Sequence, residues 1–340
     1  QFVSLVSPGS GCTLPSTVTP GGALSCTFAS ASGTVSMTFS FYIPLRDSGG
    51  GAVISSSTGD DALSCNNASG SGTWTPIDSR DLPASSQSID QAGCEHTLTD
   101  KSIATQKGVT VVGGGQPAPG RTLEYTLDVQ ISDFFVFDQV VVTDTFSDGQ
   151  RWDTAFTPTL QILGNPATLD SAGNFNAANY TVSPNYTPAD PAPNDGTTTI
   201  TFRVSDEMIS RSADGRLIGG CVLPSGTPGD PNCGAYNNGV TTARIVFRTV
   251  IQEEFSDTFP SGDSSVDQGD VLNNTETVNG RLLSTIDVTT PTGFTEADGS
   301  SASVTIGRGV LSKAVYAVNG VTPPPSPVRV ASGDTVTFRL

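Results

Sequence analysis

The chain has 340 residues, with 16 Lys+Arg against 33 Asp+Glu and a formal net charge of −17. That balance excludes nucleic acid and anionic membrane surfaces as partners recruited through neutralised phosphates. Charged residues make up only 14% of the chain and hydrophobic ones 36%, the latter in short bursts with no run long enough to predict a membrane span. A basic-then-apolar targeting pattern is absent or already removed. The single histidine, His96, leaves little room for His-based catalysis or a multi-His metal site.

In chain order, the elements follow a period of two. Residues 35–43 place Val35, Met37, Phe39, Phe41 and Ile43 on one side. Residues 122–129 place Leu123, Tyr125, Leu127 and Val129 together, and 198–204, 243–250 and 303–307 alternate likewise. Such runs, rich in Val, Ile, Thr, Phe and Tyr and bounded by Gly, Pro, Asp and Ser, predict half-buried antiparallel strands. No amphipathic helix of three or more turns is expected. The fold class is therefore all-β, built as tandem sandwiches with long loop insertions. Residues 44–94 and 161–197, crowded with Ser, Gly, Pro, Asn and Asp, are expected to be loops.

An internal repeat divides the chain. Lys101 and Lys313 are two of only three lysines, and each opens an apolar strand, a Pro/Gly-rich arm and a Gly-x-Thr turn into a second strand. The lysine stands 19 residues before Gly120 in one copy and 20 before Gly333 in the other. The expected organisation is a partial sandwich over 1–97, a complete domain over 98–308 and the opening strands of a further repeat over 309–340.

Lys101, Gly120-Arg-Thr-Leu-Glu-Tyr-Thr-Leu127, Val140-Val-Val-Thr-Asp-Thr-Phe-Ser-Asp-Gly149 and Leu272-Asn-Asn-Thr-Glu-Thr-Val278 occur in that order. This series resembles the conserved tandem repeat domain of bacterial surface proteins, similar in pattern to fimbrial isopeptide-forming Ig-like domains. Residues 12–27, with Cys12 and Cys26 around a Pro-Gly turn, look like the cysteine-bearing strand pair of similar surface repeats. The resemblance implies an Ig-like sandwich used outside the cell as a stalk, adhesin or fibre segment. Residues 150–197 and 205–240 lengthen the central repeat beyond the pattern. The apolar cluster 131–137 replaces its expected turn and reads as a core corner or a contact surface.

Several constellations carry candidate chemistry. Proximity suggests disulfides Cys12–Cys26, Cys65–Cys94 and Cys221–Cys233, chosen from many connectivities, and these point to an oxidising, extracellular compartment. An intramolecular isopeptide bond needs a desolvated lysine beside an asparagine, with a buried acid polarising the carboxamide. Lys101 near the first strand and Asn274 near the last are the candidates. Parity favours Asn274 over Asn273, since it shares a face with Leu272 and Val278. The acid is Asp144, on the Val140/Val142 face, or Glu124, which opposes the apolar face of its strand. Asp263, Asp267 and Asp270 form an acidic loop with oxygen ligands suited to Ca²⁺, although their spacing is not that of an EF-hand. Asn67, Asn179, Asn185 and Asn273 each begin a glycosylation triplet.

No Gly-x-Ser-x-Gly elbow, phosphate-cradling loop or His-Glu-x-x-His appears. The sequence therefore reads as a non-enzymatic structural segment of a large secreted surface protein. Its expected partners are neighbouring copies, joined head to tail by strand complementation. The alternative is a carbohydrate-binding or adhesive module that contacts extracellular glycans through Trp74, Trp152, Tyr180 and Tyr186. Neither reading needs a cofactor beyond the candidate Ca²⁺.

Overall fold

The computed structural model describes residues 1–340 except 10, 77, 79, 81–84, 91–93, 95, 165–171, 184–195, 223–240, 257–261, 308–312, 323–327 and 340. The fold is all-β. The N-terminal strands are β1 (Phe2–Ser7), β2 (Cys12–Thr13), β3 (Ser25–Cys26), β4 (Thr38–Phe41), β5 (Ala62–Asn66), β6 (Ser69–Trp74), β7 (Ser85–Asp90) and β8 (His96–Asp100). They associate only as antiparallel pairs: β1 with β4, β2 with β3, β5 with β8 and β6 with β7.

The central strands are β9 (Ile103–Val111), β10 (Thr122–Ile131), β11 (Val136–Phe146), β12 (Gln150–Trp152), β13 (Thr159–Leu163), β14 (Ala172–Asn174), β15 (Tyr180–Ser183), β16 (Thr198–Arg203), β17 (Leu217–Ile218), β18 (Thr241–Ile251), β19 (Val271–Leu283) and β20 (Pro291–Thr305). One α-helix among the described residues, α1 (Val204–Ser210), follows β16. One sheet has the order β14-β13-β18-β10-β9, with β12 beside β18. The other has the order β15-β16-β11-β19-β20, with β17 beside β11. A C-terminal antiparallel pair, β21 (Ala314–Val318) and β22 (Val336–Arg339), completes the described strands.

Alternation explains why the two central sheets stack. On β10 the side chains of Leu123, Tyr125, Leu127, Val129 and Ile131 are fully buried, and Ala243, Ile245 and Phe247 on β18 continue that face. The opposing sheet contributes Val140, Val142 and Phe146 from β11 and Leu272 and Val278 from β19. The inner faces share one contiguous core, as in a face-to-face sandwich. The outer faces carry ion pairs such as Arg244–Asp128 and Arg248–Glu124. Edge strands β9 and β20 lie side by side. Asp298 accepts the Thr105 N–H at 2.8 Å and the Ser300 hydroxyl accepts the Lys107 N–H at 3.0 Å, so side chains satisfy an edge that would otherwise invite foreign strands.

Three expectations change and one is resolved. Residues 44–94 and 161–197 are not simply loops, because β5, β6 and β7 lie within the first and β14 and β15 within the second. Both faces of the β6–β7 ribbon lack apolar cover, so its sequence has no alternation to read. Residues 35–43 do not present a buried face: Val35, Met37 and Phe41 are exposed, because the two-stranded β1–β4 pair has no second sheet over it. The cluster 131–137 is core, with Phe134, Phe135 and Phe137 all buried.

This last cluster also receives the N-terminal region. The Tyr42 ring meets Phe134 edge-on at 6.2 Å, Ile54 joins the sandwich core, and the Ser102 hydroxyl donates to the Gly59 carbonyl at 2.8 Å. Gly59 has φ +78°, and a Cβ there would press on Glu296, Ser102 and Leu282, so the joint requires glycine at this point.

Candidate functional site

The buried polar groups of the sandwich converge at one place between its sheets. Asp144 is fully buried on β11 and Asn274 fully buried on β19, both facing inward by the parity of their strands. The amine that reaches this pocket is Lys107 on β9, whose side chain has no solvent exposure. Its Nζ contacts Asp144 Oδ2 and lies 5.2 Å from the centroid of Tyr125 and 5.6 Å from that of Phe247. Those rings stack on each other at 5.2 Å, and Trp152 also stacks on Phe247 at 5.7 Å. Lysine thus reaches across from one sheet to the other through an aromatic box that excludes water.

Electrostatics follow from that burial. Loss of hydration lowers the Lys107 pKa, against the opposing pull of Asp144 and Glu276. Burial pushes Asp144 up to about 6, although the lysine charge and the Asn274 carboxamide favour its ionised form. Both shifts favour the neutral amine beside the neutral acid. Burial and the Asp144 charge also raise the Tyr125 phenol, whose hydroxyl donates to Gln150 at 2.8 Å. Asn274 lies against Asp144 and Tyr125, yet neither its Nδ2 nor its Oδ1 completes a hydrogen bond of regular geometry. A fully buried carboxamide left in that condition costs free energy.

Two of the four sequence candidates for this chemistry therefore meet, and two do not. Lys101 is partly exposed and pairs with Asp61 at 2.6 Å and Asp298 at 3.2 Å at the edge of the sandwich. Glu124 points outward and pairs with Arg248 at 2.8 Å. Sequence reasoning missed Lys107, although it stands on one strand face with Ile103, Val109 and Val111. A lone lysine on an apolar face was the available signal. It also missed Glu276, which shares the parity of Leu272, Asn274 and Val278 and is buried.

The remaining candidates separate clearly. Disulfides Cys12–Cys26 and Cys65–Cys94 are formed. Cys221 is also disulfide-bonded, while its expected partner Cys233 lies outside the described residues. Asp263 and Asp270 do not assemble a cation site with Asp267. Their carboxylates accept the backbone N–H groups of Ser265 and Asp267 at 2.8 Å each, and among the described residues no cluster of three His, Cys, Asp or Glu forms. Asn179 is buried and donates to Glu207 and Ser210 at 2.8 and 2.9 Å, so its amide is not open to a glycan. Asn67 and Asn273 are exposed, and Asn185 lies outside the described residues. Of the aromatics, Trp152 is buried and Tyr180 packs on Trp152, Phe175 and Phe202, which removes both as glycan platforms. Trp74 is exposed, and Tyr186 lies outside the described residues. No helix among the described residues is long and apolar enough to cross a membrane.

An all-β sandwich with a lysine, an acid and an asparagine sealed between its sheets is the class that fold and site define. Neither a protein-family model nor a curated protein matches the chain by sequence. Similar solved structures include pilin and adhesin domains. The full-length major pilin SpaD of Corynebacterium diphtheriae has a TM-score of 0.32 and 10% identity, covering 60% of this chain and 34% of SpaD. The collagen-binding domain of a Staphylococcus aureus adhesin has a TM-score of 0.26 and 10% identity, covering 57% of this chain and 95% of that domain. AvmM, which catalyses macrocyclisation in alchivemycin A biosynthesis, has a TM-score of 0.28 and 15% identity, covering 62% of this chain and 92% of AvmM. The chain thus spans about a third of SpaD. Likeness at this level carries no conclusion about activity, and the functional reading rests on the site.

Proposed function

We propose that the chain is a non-enzymatic structural segment of an extracellular bacterial surface protein, whose central sandwich locks itself with an amide bond between Lys107 and Asn274. The observation that carries this reading is that buried Lys107 contacts Asp144, against which the buried Asn274 carboxamide lies without a hydrogen bond of regular geometry. The Lys107 ammonium passes a proton to Asp144, and the neutral amine attacks Asn274 Cγ. Protonated Asp144 donates a hydrogen bond to Asn274 Oδ1, which carries the developing negative charge. Collapse of the adduct breaks the Cγ–Nδ2 bond, and Nδ2 leaves as ammonia with the second proton of Nζ, shuttled through Asp144. The product joins edge strand β9 of one sheet to inner strand β19 of the other. Such a bond shields the sandwich from being peeled open along the chain, which suits a stalk. The disulfides fit the same oxidising compartment.

Intact mass of the reduced full chain tests this. The expected result is a mass lower by about 17 Da, the loss of one ammonia, abolished in Lys107→Ala and in Asn274→Ala but kept in Lys101→Ala. An unmodified wild-type mass overturns it.

A second reading, self-assembly through the N-terminal region, is favoured by one feature. A surface groove of about 520 Å³ lies among β1, β4, β5 and β8, lined by Phe2, Leu24, Phe39, Phe41, His96 and Leu98. A strand from a neighbouring copy would find apolar cover and free strand edges there. Light scattering of the full chain separates the outcomes: higher oligomers that revert to monomer in Leu98→Asp support assembly, and a monomer at every concentration rejects it.

A further inference from the structure

The site holds a second buried acid that takes no part in the closure reaction as written. Glu276 stands directly opposite Asp144 in the β11–β19 register and is 3% exposed. Its Oε1 accepts the Thr105 hydroxyl at 2.7 Å, whereas its buried Oε2 has no hydrogen-bond partner. Thr105 and Lys107 stand two residues apart on the same face of β9, so Glu276 looks toward the lysine that must react. We propose that Glu276 is a positioning residue acting as a proton gate on the Lys107–Asn274 bond: neutral, it permits closure, and as a carboxylate it holds Lys107 in the unreactive ammonium form. The inference rests on the crosslink reading above.

Charge balance in a dry cavity supplies the reason. With Glu276 neutral, the Lys107–Asp144 pair has no net charge in either form, ammonium with carboxylate or amine with acid. Moving the proton to Asp144 then separates no extra charge. With Glu276 ionised, its field stabilises the ammonium, so the amine becomes scarcer. The groups that act on Glu276 are Lys107 and Thr105 from β9, Asp144 from β11 and, from the outer face of β10 where it pairs with Arg244, Asp128. On neighbouring β20, Asp298 is occupied by the Thr105 N–H and by Lys101. Lys107 is the sole cation among the groups that act on Glu276. Burial, reinforced by Asp144 and Asp128 against the pull of Lys107 and Thr105, brings the Glu276 pKa to about 7. The gate therefore operates near neutrality.

The test follows closure in time. The full chain, recovered unreacted from insoluble material, is refolded between pH 5 and 9 under a disulfide-forming redox buffer. Burial of Trp152, read by fluorescence, marks folding, and the mass decrease marks closure. In the wild type, closure slows above neutrality by about tenfold per pH unit. Glu276→Gln, neutral at every pH, closes like the wild type near pH 5.5 but at least tenfold faster at pH 8, while Glu276→Asp retains the wild-type slowing. Thr105→Val removes a hydrogen bond that favours the carboxylate and moves the midpoint upward. A merely structural role for Glu276 shifts the rate equally at all pH values and leaves the midpoint in place. An unchanged midpoint in Glu276→Gln overturns the gate, as does an unchanged midpoint in Thr105→Val should the Gln variant fail to fold. A wild type that folds but never loses ammonia defeats the crosslink itself, and the gate with it.

Discussion

The central sandwich and the N-terminal region are made from the same kind of strand yet hold their shape by different means. Between β9 and β20, two sheets cover each other, and Tyr125, Leu127, Phe146, Phe202 and Phe247 are fully withdrawn from water. Before β9 the strands associate only in pairs, and Phe2 and Ile54 are the sole buried hydrophobic side chains among the described residues. Isolated two-stranded ribbons are marginal in water. What compensates is covalent and local: two disulfides and a joint against Phe134. A second covering sheet is what turns alternation into a core, and without one the chain needs staples.

The largest expected effect comes from cutting into the covered face. Phe247→Ala leaves a cavity beside Tyr125, Trp152 and Lys107 and should destabilise the sandwich by about 3–5 kcal/mol. Phe41→Ala, at a half-exposed position of β4, should cost within about 0.5 kcal/mol. Denaturant unfolding followed through Trp152 measures the first, and equal losses at the two positions would erase the distinction between the regions. Next in size is reduction. Opening the Cys12–Cys26 loop, with its separation of 14 residues, removes about 3 kcal/mol of loop-closure stabilisation, and the longer Cys65–Cys94 loop slightly more. Hydrogen exchange after reduction should accelerate across residues 1–100 and leave β10 and β18 protected. Matched acceleration in both regions would show that they unfold as one unit.

That same contrast decides what could be read from the sequence. Strands β10, β16 and β18 are legible because each has one face in a core, and burial writes alternation into the chain. β6 and β7, Ser- and Gly-rich and exposed on both faces, leave no such trace. At the site, parity alone places Asp144 and Asn274 inward. Lys101 drew the lysine assignment because it opens the repeat, as Lys313 does, whereas the reacting position is set by depth inside the sandwich. Six residues after Lys101, within β9, Lys107 stands opposite Leu127 and its Nζ reaches the Tyr125 ring. Glu276 was legible by the same parity that selected Asn274, and only its neighbours across the sheet gave it a chemical meaning.

Buried acids make a third difference between the regions, visible as pH dependence. Asp144 and Glu276 have folded pKa values raised to about 6 and about 7. A raised carboxyl binds its proton more tightly when folded, so its stabilisation is complete below the unfolded value and is lost as pH rises through the folded one. In the Asn274→Ala chain, where no crosslink intervenes, stability should fall between about pH 4 and 7. Adding Glu276→Gln should remove about 1–3 kcal/mol of that fall. The acids with lowered pKa values, Asp78, Asp287 and Asp334, are on the surface and act in the opposite sense at lower pH. Melting curves across that range measure the difference, and parallel curves with and without Glu276 would mean that the folded state does not hold its proton.

The smallest effect sits where the two regions touch. Lys101 bridges Asp61 of the N-terminal region to Asp298 on β20, with partners that solvent partly screens. Such pairs contribute about 0.2–1 kcal/mol, so Lys101→Ala should barely change the unfolding of the sandwich. Its consequence should be local: faster hydrogen exchange in β5 and β8, next to Asp61, with β19 unaffected. If Lys101→Ala instead destabilised the sandwich as much as a core substitution, the joint would be part of the core. The N-terminal region would then draw its order from the sandwich and not from its own disulfides.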